Sequence, residues 1–133
     1  MRPHHNKVDL DIFSKFIPAG TLFLLTLIFG FVLSHFGKPY NGILFNFHKL
    51  IALGAVIVMV FQLSETLKNA DPQVLIIALL FVATICVLAL FASGALMSMG
   101  KLEYVLMLTI HRIAPIVLVI ALALSASLLG RHP

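Results

Sequence analysis

The sequence predicts an all-α integral membrane protein, an up-down-up-down four-helix bundle built from two repeated helical hairpins. Three observations predict it: an apolar composition, four long apolar runs joined by short turns, and a repeat of charged and histidine positions at a fixed offset.

Of 133 residues, 61% are hydrophobic and 11% charged, with a mean hydropathy of +1.10. A water-soluble domain of this length has too little polar surface left to face its solvent. Lipid is the alternative solvent. One spanning helix takes roughly 20 apolar residues, so four spans occupy nearly the whole chain as a single transmembrane domain. Helices are the expected spanning form because each satisfies its own backbone hydrogen bonds in hydrocarbon.

The first span covers residues 16–36. Residues 8–16 mix apolar and charged positions and read as a short interfacial turn before Pro18 opens the helix. No small-residue cleavage site follows the first apolar run, so it is expected to remain as a helix. The segment Gly37-Lys38-Pro39-Tyr40-Asn41-Gly42 carries turn chemistry. The second span covers residues 43–67 and ends at Lys68-Asn69-Ala70-Asp71-Pro72. The third covers residues 73–99 and holds no charge. Gly100-Lys101-Leu102-Glu103 turns the chain into the fourth, residues 104–129. Short connections make sequential helices antiparallel neighbours.

The net charge of +4 and pI near 9.6 come from basic residues that flank apolar runs, so nucleic acid is not an expected partner; the lipid bilayer is. Arg2, Lys7, Lys15, Lys68 and Arg131 fall on the side of the termini, and Lys38 and Lys101 on the other. The positive-inside rule therefore places both termini in the cytoplasm, with the cell (inner) membrane as the location. Counting Lys49 and Arg112 with the far side narrows the difference to five against four. Cys86, the single cysteine, lies in an apolar run and reads as a small buried residue.

At an offset of 63 residues, Gly37-Lys38 recurs as Gly100-Lys101, His48-Lys49 as His111-Arg112, and Lys68 as Arg131. Two hairpins of equal length would place flanking charges at equal intervals without any duplication. That does not account for a His-base pair inside each second helix, and duplication of a hairpin does. Both hairpins insert in the same direction, so a symmetry axis would lie along the membrane normal.

Ionisable residues within a span are costly and mark function by default. Of the six histidines, His4, His5 and His132 lie in polar tails. His48 and His111 each precede a basic residue, Lys68 and Arg131, by twenty positions, or about 30 Å of helix. The two imidazoles are therefore expected at one level, just inside the non-cytoplasmic boundary. Diagonal axes in a bundle are about 13 Å apart when neighbours are about 9–10 Å apart, a gap that fits two inward histidines with an iron between them. Ala52, Ala55, Ala114, Ser93, Gly94, Gly30 and Ser34 are small residues near this level; they leave room for a macrocycle or serve close helix packing. Pro115 lies four residues after His111 and cannot donate to its carbonyl.

Lys49 and Arg112 are candidates to pair with haem propionates, or to anchor the helices in the interface. Asn46 and Thr109 are candidates to support the ligands by hydrogen bonding. His35, with Ser98 at its repeat position, lines a quinone pocket, donates to a propionate or sits in the interface. Met97 and Met99 read as apolar packing or soft metal ligands.

At His48-Lys49 and His111-Arg112 the chain resembles the small four-helix membrane b-type cytochromes, across its spans in pattern and without an extended signature. The resemblance implies one haem b whose iron is ligated by His48 and His111, near the non-cytoplasmic face. It implies one-electron transfer, with quinone or quinol or a redox partner protein as the other party, in a homodimer or a larger complex. Members with two haems carry four such histidines; two are well placed here. The other readings are a cofactor-free membrane anchor or assembly subunit, and a small metal-binding or transport protein using His35, His48, His111, Met97 and Met99.

Overall fold

The computed structural model describes residues 4–68, 71–100 and 103–129, the first ten of them as backbone only. They form four helices: α1 His4–Phe36, α2 Gly42–Leu67, α3 Val74–Met99 and α4 Tyr104–Leu129. Among the described residues there is no strand, and all four helices are long and apolar enough to cross a membrane. The all-α membrane architecture thus follows the apolar runs, and α2, α3 and α4 match their expected bounds within a residue.

The start of α1 differs. Residues 8–16 are not a separate turn; the helix is continuous from His4 and carries Pro18 in its interior. Its apolar part begins near Ser14, so the first three turns are a helical extension on the polar side of the span. Sequence patterning misplaced the boundary because it follows hydropathy, and a polar helix has none to follow.

The chain divides into two compact units, Met1–Ala70 and Asp71–Pro133, each one helical hairpin. In the first, α1 packs on α2, and in the second α3 packs on α4. The buried residues of α3, Ile76, Ala83, Cys86 and Ser93, recur at spacings of seven, three and seven. On α4 they are Met107, Ala114, Leu118, Ala121, Ser125 and Leu129. These are the a and d positions of a packed helix pair, dominated by small side chains. Lipid tails are as apolar as leucine, so burying leucine between helices gains little; close backbone approach over small residues gains more. Large apolar side chains face outward instead, Phe31 being 75% and Val74 83% exposed. Cys86 is buried in this seam, as expected of a small apolar residue.

Hydroxyls inside the spans are satisfied locally. Thr21, Thr26, Thr66, Thr84, Thr109 and Ser125 each donate to the carbonyl four residues earlier. That bond removes the cost of a polar group in hydrocarbon without help from a second helix.

The glycines that end α1 and α3 reproduce the repeat in backbone geometry. Gly37 and Gly100 hold φ of 69° and 66°, and their N–H groups donate to Leu33 and Leu96 at 3.3 and 3.2 Å. Each is a left-handed helix terminator, the position glycine fills without a Cβ penalty. After the first turn, Asn41 caps α2: its Oδ1 accepts from Ile43 N at 3.0 Å and Leu44 N at 3.3 Å, which satisfies two of the helix's open N–H groups. Lys68 closes α2 with an N–H bond to Ser64 O at 3.1 Å, and its ammonium pairs with Glu65. Lys101 and Arg131, the repeat partners of Lys38 and Lys68, lie outside the described residues, as do Arg2 and His132 and the side chains of His4, His5 and Lys7.

A Cβ on Gly37 or Gly100 would meet nothing within 4 Å, so a substitution there costs conformational energy and no clash. Gly37→Ala and Gly100→Ala are each expected to destabilise the protein by roughly 1–2 kcal/mol, read from equilibrium unfolding in detergent. Equal losses at the two positions are the signature of a repeated turn.

Candidate functional site: two paired imidazoles

His48 and His111 lie about 9 and 10.5 Å of helical rise from the starts of α2 and α4, so each sits at a matched depth in its own hairpin. Both are half-buried, and each turns its ring onto the neighbouring helix of that hairpin.

In the first hairpin, His48 Nδ1 lies 3.0 Å from the carbonyl oxygen of Thr26 on α1. A carbonyl only accepts, so Nδ1 carries the proton and donates it. In a neutral imidazole the lone pair then belongs to Nε2. The ring reaches the backbone because Gly30 stands one turn along. An ideal Cβ there would come within 3.0 Å of His48 Cε1 and 3.5 Å of Nδ1.

In the second hairpin the contact is indirect. Ser93 Oγ lies 3.0 Å from His111 Nδ1 and 2.6 Å from the carbonyl of Ala89, with Leu90 O at 3.2 Å. A hydroxyl has one proton, and the short contact to Ala89 assigns it there. Ser93 Oγ therefore accepts from His111 Nδ1–H, and His111 holds its lone pair on Nε2 as well. Ser93 is only 2% exposed. The ring rests on Gly94, where a Cβ would meet Cε1 at 3.3 Å.

The repeat explains the difference. Thr26 and Ala89, Gly30 and Ser93, and His48 and His111 are all 63 residues apart. The same carbonyl orients both imidazoles, directly where residue 30 has no side chain and through a hydroxyl where residue 93 has one. The interposed oxygen moves the second ring one residue along, onto Gly94.

The remaining sequence candidates fall around this core. Lys49 is exposed, with its ammonium 4.1 Å from the centroid of the Phe45 ring. Phe45 in turn stacks on Tyr40 at 6.0 Å and 8°. The site of cation–π attraction is the face of a ring one turn back on the same helix. Arg112 is exposed. His35 is exposed near the end of α1, edge-on to Phe36 at 6.1 Å and 72°. Thr109 spends its proton on Val105 O at 2.8 Å, and Asn46 is exposed, so the support of the imidazoles comes instead from Thr26 O and Ser93 Oγ. Phe47 stacks on Phe29 across the first hairpin at 6.3 Å and 15°, which flanks His48 on its own helix. α4 runs without interruption through Pro115.

Sequence reasoning took Ser93 as a small residue and did not single out Thr26. The usable signal for Ser93 was its place opposite a glycine in the repeat. Thr26 acts through its backbone, which no side-chain pattern reports. Among the described residues no three His, Cys, Asp or Glu side chains gather as a metal cluster. A haem asks for less, since its macrocycle supplies four of six ligands and the protein one donor from each of two positions.

No family model, no curated protein and no solved structure matches the chain.

Gly30→Ala is expected to push the His48 ring off Thr26 and to destabilise the protein by about 1–3 kcal/mol. Gly20→Ala, with nothing within 4 Å of the new Cβ, is expected to stabilise α1 by up to about 1 kcal/mol. Unfolding in detergent with circular dichroism detection checks both.

Proposed function

We propose that the chain is a membrane b-type cytochrome in which His48 and His111 would hold one haem b. One observation carries the reading: each hairpin presents an imidazole whose Nδ1–H is held by an oxygen of the neighbouring helix, so that both rings keep the lone pair on Nε2. A histidine that ligates a metal through Nε2 is typically held in this way, with the opposite N–H donating to a carbonyl or hydroxyl that fixes the tautomer and raises ligand basicity.

When bound, haem supplies a one-electron couple between ferric and ferrous iron. The protein's part is to hold two neutral donors, fix their orientation and surround them with low dielectric. Thr26 O and Ser93 Oγ do the first two. Lys49 and Arg112, each next to a ligand, are assigned to the propionates, where a cation offsets carboxylate charge; Lys49 would exchange the Phe45 face for that partner. His35, near the same end of its hairpin, is assigned to the rim of the site. The distribution of basic residues supports cytoplasmic termini in a cell (inner) membrane, which sets the histidines toward the opposite face. Single electrons would be exchanged there with a quinol or with a redox protein of a larger complex.

The full chain, purified in mild detergent from cells supplied with haem, is expected to show a Soret band and sharp α and β bands on reduction. His48→Ala and His111→Ala should each abolish the six-coordinate spectrum while helicity by circular dichroism is retained. A colourless protein of full helicity contradicts the proposal.

A further inference from the structure

The two hairpins repeat in their helix ends and their histidines but not in the residues between their helices. Position 40 is tyrosine where its repeat position, 103, is glutamate. Residues 12–64 hold Lys15, Lys38 and Lys49 and no aspartate or glutamate. The turn of the first hairpin is therefore cationic with no carboxylate to offset it, whereas Lys101 is followed two residues later by Glu103.

That end of the first hairpin is also hollow. An open cavity of about 350 Å³ is lined by Phe36, Pro39, Asn41 and Leu44, toward the lower end of the range for ligand-sized clefts. Three of these side chains are apolar and Asn41 is polar. Lys38, exposed, and Tyr40, half-buried, alternate with the lining residues along the turn. Tyr40 stacks on Phe45 with 6.0 Å between centroids and 8° between planes. Asn41 Oδ1 already takes the N–H groups of Ile43 and Leu44, so an anion at this end would be met by side chains. Further along α2, Ile43, Phe47 and Leu50 are 71%, 54% and 66% exposed, and their spacing of four and three places them on one face of the helix.

We propose that this end binds an anionic phospholipid of the surrounding bilayer, its phosphate at Lys38 and Tyr40 and an acyl chain along Ile43, Phe47 and Leu50. Charge complementarity selects an anion. The apolar side of the cavity, continued by an apolar helix face, selects an anion that carries a hydrocarbon chain. Lysine at a membrane surface favours anionic headgroups over neutral ones, and tyrosine settles at the same level because its ring is apolar and its hydroxyl polar. Lys38 and Tyr40 have no part in holding haem, and every residue of the lipid site lies within one hairpin, so the site is independent of the haem reading.

The full chain, stripped of lipid in mild detergent, is offered equal amounts of phosphatidylglycerol and phosphatidylcholine, and bound lipid is counted by native mass spectrometry. Wild type is expected to retain phosphatidylglycerol about fivefold over phosphatidylcholine, the selectivity of one lysine at an anionic surface. Lys38→Gln should remove that preference with helicity unchanged by circular dichroism. Tyr40→Glu, which imports the carboxylate of the second hairpin, should do the same. Lys101→Gln, at the repeat position beside Glu103, should leave the preference intact. Lys38 is exposed in a turn, so its variant decides the matter even where Tyr40→Glu does not fold. Equal retention of the two lipids by wild type overturns the proposal. An equal loss in Lys38→Gln and Lys101→Gln also overturns it, because general charge would then replace a site. Displacement of phosphatidylglycerol by inorganic phosphate, but not by sodium chloride of equal ionic strength, would assign the turn to a free anion and overturn the lipid.

Discussion

An imidazole placed among apolar helices has one N–H to satisfy and no water to satisfy it. Left unpaired in that medium, the donor costs on the order of several kcal/mol, more than a marginally stable small protein can lose at each of two positions. The neighbouring helix must therefore present an oxygen, and helix backbones bring one within reach only where a side chain is absent. Gly30 meets that requirement in the first hairpin; in the second the Ser93 hydroxyl supplies the oxygen and Gly94 leaves room for the ring. Each contact lies between the two helices of one hairpin, α1 with α2 and α3 with α4.

The repeat shows how one solution tolerates variation. The terminators Gly37 and Gly100, with their bonds to Leu33 and Leu96, end α1 and α3 at equivalent positions. With register fixed, residues 26 and 89 offer equivalent carbonyls to equivalent histidines. Replacing glycine at position 30 by serine at position 93 would have shut the second ring out had the serine been only an obstacle. Its hydroxyl instead accepts the proton and passes the interaction to the same carbonyl. The orientation of the imidazole is preserved although the residues that enforce it differ.

Much of the fold was legible in the sequence. Apolar runs bounded by Gly, Pro and Lys gave α2, α3 and α4 nearly to the residue, because desolvation admits few other ends to a membrane helix. The first dozen residues of α1 were not legible, since their helix is polar and Pro18 imitates a start. His48 and His111 stood out as ionisable residues at matched places in apolar runs. What orients them did not. The Thr26 carbonyl has no sequence signature, and Ser93 differs from other span hydroxyls, such as Thr84 and Ser125, only in having a histidine across from it. The position of Lys49 over Phe45 was written in their spacing of four residues, though the chemistry of a cation beside a histidine drew attention elsewhere.

The central claim is that the orientation of both rings exists to present Nε2 to one iron. Electron paramagnetic resonance of the ferric protein, taken with its haem content per chain, tests this most directly, because the signal reports the axial ligand pair itself. The account predicts one haem per chain and a low-spin signal of two imidazole ligands. A high-spin signal, or pure folded protein that takes up no haem, would contradict it.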